Sequence, residues 1–141
     1  MEGYPVVVEE KVRYSDIDAF NHLNNVVFFQ LFQQARVAYF EEVGIFSRMG
    51  RGEQNLVVGE TSCRFLAEGH YGDVVQCGAR FARLGTSSCE QQYRLEVRGK
   101  PIAEGSAVLV FYDFQTGRSA PLPEPLKARI REIEARAGRV I

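Results

Sequence analysis

Most of what could do chemistry in this chain lies in one short stretch. From Val12 to Asn25 it reads Val-Arg-Tyr-Ser-Asp-Ile-Asp-Ala-Phe-Asn-His-Leu-Asn-Asn. Aspartate is scarce, four in 141 residues, yet two of the four, Asp16 and Asp18, stand here with only Ile17 between them. Aspartate and asparagine bond their own backbone, so such a cluster marks a turn or a helix start. An apolar periodicity begins at Asn25, which places Asn24 and Asn25 where a helix opens. The first N–H groups of a helix have no internal partners and carry partial positive charge. A carbonyl directed at them is polarised, and an oxyanion forming there is stabilised. A nearby carboxylate such as Asp18 can attack that carbonyl or activate a water against it. Asp18 would also serve as a loop cap, and Asp16 is read as a turn or cap residue. His22 reads as a satisfied structural histidine before a catalyst.

The other reactive side chains offer less. Cys63, Cys77 and Cys89 are odd in number, form no C-x-x-C pair and fall in segments read as strands. They are expected to be small buried hydrophobes rather than nucleophiles. Asp16, Asp18 and His22 could begin a metal site, but no other segment supplies further ligands at a recognisable spacing, so no metal is expected. His70, in the turn Glu68-Gly-His-Tyr-Gly-Asp73, is expected to be solvated.

The positioning elements follow from hydrophobic period. Val6 to Arg13 is β-branched and predicts a strand. From Asn25 to Val43, Phe28, Leu31, Phe32, Ala35, Tyr39 and Val43 recur at three- and four-residue steps. Gln30, Gln33, Gln34 and Glu41 lie opposite, and Gly44 supplies a stop. This is a helix of about 28 Å. Phe29, Ala38 and Phe40 widen its apolar girth, so other structure should wrap it. Ile45 to Asn55 reads as a loop or short irregular helix. Four long strands follow, Leu56–Ala67, Asp73–Leu84, Thr86–Val97 and Ile102–Phe114, and their short connections make them antiparallel. Pro121 to Arg139 predicts a peripheral amphipathic helix with Leu126, Ile130, Ile133 and Ala137 on its stripe. The expected architecture is α+β and a single domain over residues 1–141. A five-stranded, mainly antiparallel sheet curves around one long helix, with a short C-terminal helix beside it. Five strands leave two long edges, so edge-to-edge dimerisation is expected.

Composition narrows the function. Apolar residues make up 45% and charged residues 25%, the mix of an ordinary globular domain. Seventeen basic against eighteen acidic side chains is not the balance of a general nucleic-acid binder. No apolar run is long enough to span a bilayer, and the first residues lack the pattern of a signal peptide. Together with the cysteine usage, this points to the cytoplasm and to no membrane partner.

The stretch Val12 to Asn25, followed by the helix through Gln34-Ala35-Arg36, resembles the hotdog-fold acyl-CoA thioesterases of the 4-hydroxybenzoyl-CoA thioesterase family. Gly72-Asp73 and Arg83-Leu84-Gly85-Thr86-Ser87-Ser88 look like later segments of that family. The resemblance covers roughly residues 5 to 115. It implies hydrolysis of acyl-CoA thioesters by a homodimer or dimer of dimers. No cofactor is implied beyond the coenzyme A of the substrate. Asp18 is implied as nucleophile or general base, the backbone around Asn24 and Asn25 as the carbonyl-polarising group, and His22 as a supporting catalytic residue. Arg83, Thr86, Ser87 and Ser88 are implied as substrate-binding residues, approaching from a neighbouring strand or subunit. Departures from the family pattern are Asn21 for glycine, Phe28 for tyrosine, and Gln33 and Gln34 where related helices carry glutamate, which leaves Asp18 as the one carboxylate. The competing reading on the same fold is a non-catalytic acyl-CoA-binding or sensing protein.

Overall fold

A computed structural model describes residues 1–44 and 54–141. The elements are β1 (Val6–Lys11), a 3-10 turn (Tyr14–Asp16), α1 (Asn25–Val43), β2 (Gln54–Phe65), β3 (Val74–Leu84), β4 (Ser88–Val97), β5 (Lys100–Asp113), β6 (Arg118–Ser119) and α2 (Glu124–Ala135). The loop expected over Ile45 to Asn55 lies outside the described residues except for its last two, which open β2. β1 stops two residues short of Arg13, because Arg13 turns to cap the 3-10 turn with Asp16.

The sheet runs β1-β3-β4-β5-β2 in space, and every pairing is antiparallel. Five strands were expected, and the sixth is the two-residue β6, paired with Tyr112 and Asp113. Asp113 creates it: its Oδ1 accepts the N–H groups of Gln115 and Thr116, and Gly117 at φ 70° completes the reversal. The β4–β5 connection is Arg98-Gly99, with φ of 51° and 75°, the left-handed pair of a two-residue hairpin.

α1 packs on β3, β1 and β4. Its buried face is Val27, Phe28, Leu31, Phe32, Ala35, Tyr39 and Phe40. Phe32 stacks on Tyr93 of β4 with ring centroids 5.0 Å apart. The sheet cradles the helix rather than encircling it. Gln30, Gln33, Gln34 and Glu41 are not buried, and the flanking Phe29 and Ala38 are only partly buried. β4 alternates strictly, with Cys89, Gln91, Tyr93, Leu95 and Val97 inward. Among the described residues, no helix is long and apolar enough to cross a membrane.

Candidate active site

The two aspartates sit in a tight hairpin that feeds α1. Ile17 bridges Leu23. Asp18 N–H donates to the His22 carbonyl at 2.8 Å, and Asn24 N–H donates to the Asp16 carbonyl at 2.8 Å. Asn21 takes the left-handed conformation at φ 63° near the tip, where the family pattern has glycine. Residue 18 therefore lies two residues along the hairpin from Asn24, about 7 Å at the usual strand rise. Asp18 is half-buried. Its Oδ1 accepts Phe20 N–H at 2.9 Å and His22 N–H at 3.2 Å. Its Oδ2 has no hydrogen-bond partner among the described residues.

Asp16 anchors the hairpin from below. It is buried, and Oδ2 accepts the Arg13 backbone N–H at 2.8 Å. Arg13 forks onto both oxygens at 3.2 and 2.9 Å. Burial by itself would raise the Asp16 pKa; the Arg13 hydrogen bonds and charge override it and hold the carboxyl below its ordinary value. Asn24 is the N-cap of α1, its side-chain oxygen accepting Val26 N–H at 3.2 Å, while its carbonyl accepts Val27 N–H. The N–H of Asn25, at the first helical position, has no acceptor among the described residues. It is the open donor at the helix mouth.

Apolar side chains that water ought not to see gather at this end of the molecule. Phe20 is 80% exposed, and Val26, Phe65, Leu66, Tyr71 and Tyr14 are exposed with it. Phe65 packs edge-on against Phe28, with ring centroids 5.0 Å apart. Such a patch marks a ligand or partner surface. A cleft of about 440 Å³ runs along the glutamine face of α1, lined by Arg13, Asp16, Gln30, Gln33 and Gln34 among others. Asp18 does not line it.

The remaining expected site residues are not brought to Asp18 within one chain. Arg83, Thr86, Ser87 and Ser88 lie at the β3–β4 turn, whereas the Asp18 hairpin meets the other end of β3 through Val12 and Asp73. The eleven residues of β3 separate the two by about 33 Å. The turn is occupied locally: the Thr86 and Ser87 carbonyls accept Leu122 and Phe111 N–H groups. The cysteines sit in β2, β3 and β4 as expected; burial pushes the Cys63 thiol up to about 11 and those of Cys77 and Cys89 to about 12, away from nucleophilic use.

Three residues beside Asp18 were not legible as a group. The His22 ring faces Glu68 and His70 on the β2–β3 connection. Its Nε2 is 3.2 Å from Glu68 Oε2, and His70 Nε2 is 3.5 Å from the same oxygen. His22 supports Asp18 through its backbone, while its side chain looks away to this cluster. The expectation that His70 stands in solvent holds only in part, because its ring is about half exposed and engaged on both nitrogens.

The model of the thioesterase-like superfamily matches residues 12–130. A thioesterase from Thermus thermophilus, solved with coenzyme A and Zn, is 36% identical, with full coverage of both chains and a TM-score of 0.88. The uncharacterized protein YsmA of Bacillus subtilis (strain 168) is 28% identical over 110 residues, 77% of this chain and 73% of its own. A 1,4-dihydroxy-2-naphthoyl-CoA thioesterase from Synechocystis, 19% identical, shares the fold with a TM-score of 0.81 over 89% of this chain and 94% of that one. The long helix cradled by an antiparallel sheet, the Asp18 hairpin at its mouth and these similarities agree on one conclusion: the chain has the hotdog fold and belongs to the thioesterase-like superfamily, whose reaction is thioester hydrolysis.

Proposed function

We propose that this protein hydrolyses acyl-CoA thioesters to free acid and CoA. The observation that carries the reading is the hairpin that holds Asp18 beside the opening of α1, with Oδ1 fixed by two N–H groups and Oδ2 uncommitted. The thioester carbonyl oxygen takes the Asn25 N–H, where the helix dipole stabilises the developing oxyanion. Asp18 Oδ2 then attacks the carbonyl carbon to give a mixed anhydride that water opens, or takes a proton from the water that attacks. CoA leaves as the thiolate and is protonated, by water in the first route and by the proton Asp18 has taken in the second. The exposed apolar residues around Phe20 and Phe65 suit the acyl group. A relative of 36% identity solved with coenzyme A supports the CoA half of the substrate.

The active unit is a homodimer through β2. This edge strand of twelve residues is exposed along most of its length from Val58 onward, including Val58 and Phe65. Antiparallel pairing of β2 with its copy puts the β3–β4 turn of one chain at the same end of the joint sheet as the Asp18 hairpin of the other. That is how Thr86, Ser88 and Arg83 would reach the substrate.

The test is thiol release from a panel of short, long and aromatic acyl-CoAs. Asp18→Asn should lower turnover by about 10²–10⁴-fold with the fold and the oligomer unchanged. Turnover untouched by that substitution would remove Asp18 from the chemistry. Tight acyl-CoA binding without turnover on any member would make the protein a sensor instead.

A further inference from the structure

We propose that His22, His70 and Glu68 form a site for one divalent cation of the zinc class, which ties the Asp18 hairpin to the β2–β3 connection. The three donor atoms lie within 4.8 Å of one another. Glu68 Oε2 is the shared corner, 3.2 Å from His22 Nε2 and 3.5 Å from His70 Nε2. In a tetrahedral site with bonds of about 2.0–2.1 Å, neighbouring donors stand about 3.3–3.4 Å apart. The two contacts bracket that spacing. The imidazoles meet edge-to-face, with centroids 5.9 Å apart at 85°, so their Nε2 atoms converge on Glu68 without ring stacking.

The surroundings hold these donors in place. Leu23, next to His22, donates its N–H to the carbonyl of Gly69, between Glu68 and His70, at 2.7 Å. Gly69 is buried, and a Cβ there would lie 2.9 Å from the Leu23 side chain, so glycine permits this close approach. Behind His70 stands Asp73, a buried carboxylate whose Oδ2 accepts the His70 backbone N–H at 2.9 Å and lies 3.7 Å from Nδ1. At that distance it is a neighbouring charge, and its hydrogen bond is to the His70 backbone. A carboxylate behind a ligating histidine is the usual outer partner of such sites. Two imidazoles and one carboxylate suit zinc, and cobalt or nickel in its place; magnesium and calcium prefer oxygen alone. All three side chains keep partial solvent access, which leaves a fourth position for water. Exposed histidine–carboxylate contacts alone are worth little. The cation would add side-chain ligation to the Leu23–Gly69 backbone bond that already joins the two loops. This inference does not depend on the hydrolytic reading.

The full-length chain, stripped with a chelator, is titrated with Zn²⁺ against a chromophoric competitor and separately with Co²⁺. One equivalent per chain is expected, with the visible bands of tetrahedral cobalt and slower amide exchange over residues 17–23. Glu68→Gln and His70→Ala should each weaken binding by more than the ~10–100-fold that loss of an outer partner costs. Cys63→Ser should leave it unchanged. Zinc should raise the melting temperature of the parent and not of Glu68→Gln, whose exposed side chain can change without unfolding the chain. Absence of a bound equivalent, or binding that survives both ligand substitutions, would overturn the proposal.

Discussion

Asp16 and Asp18 are chemically identical and two residues apart, yet their surroundings give them different work. Asp16 is consumed by Arg13 and fixes the hairpin; Asp18 keeps one oxygen free. Asp16→Ala leaves the Arg13 N–H without its acceptor and should destabilise the chain by about 1–3 kcal/mol, read from urea midpoints. The pH dependence has a definite sign. The native pKa of Asp16 is depressed, so its contribution is present above the ordinary carboxylate value of about 3.9 and fades as pH falls through the lower native value. The stability gap between parent and Asp16→Ala should therefore narrow below about pH 4. Asp113, also depressed by its turn N–H groups and Gln54, is common to both chains and cancels in the comparison. A gap that widens on acidification would contradict the Arg13 pairing.

Two elements are fixed by single residues that a hydrophobic pattern undervalues. α2 looks like a peripheral amphipathic helix, and Ile130 and Ile133 are buried as its stripe requires. Beside them Glu134 is fully buried. Its Oε1 accepts the Tyr39 hydroxyl of α1 and the Phe81 N–H of β3, both at 2.7 Å, and its Oε2 accepts Arg139 Nε at 2.8 Å. Burial, then the Glu134 carboxylate, pushes the Tyr39 hydroxyl far above its ordinary pKa, so it stays a donor. Glu134→Ala strips acceptors from two buried donors and the charge partner of Arg139; a loss of about 3–5 kcal/mol is expected by chemical denaturation. Tyr39→Phe, which removes only one of the bonds, should cost less. At the sheet–helix contact, a Cβ on Gly105 would run into the Phe32 ring and the Ser62 carbonyl. Gly105→Ala should destabilise by about 1–3 kcal/mol through overpacking.

For the molecule as a whole, the strand order sets what one chain can and cannot do. β1 and β2 are the edges, and β2 is the long one. The proposed dimer through β2 predicts a concentration-dependent dimer in sedimentation velocity. Val58→Lys replaces an apolar side chain of that exposed edge with a charge in both copies. Burying one valine is worth about 1.5–3 kcal/mol, so the dissociation constant should rise at least about tenfold. Turnover should fall with the dimer if the β3–β4 turn completes the partner's site. Full activity in a monomeric variant would leave that turn without a catalytic part.

The sequence by itself determined whatever rests on local chemistry. The period of Phe28 to Val43 determined α1, Asn24 its cap, Gly44 its stop, and the density of aspartate and asparagine the turn that carries Asp18. β1 was legible from its β-branched residues and the four long strands from the turns that separate them, and the motif supplied the fold. The ends of β1 and α2 were less so, because Arg13 and Asp16, or Glu134 and Arg139, settle them through side-chain bonds that no periodicity records. Only the tertiary structure decided which residues meet. It set His22 against Glu68 and His70, nearly fifty residues later, and put Thr86 to Ser88 at the far end of β3 from Asp18. The reason is physical: propensity and capping act within a few residues, whereas strand order and register choose which distant loops share an end of the sheet.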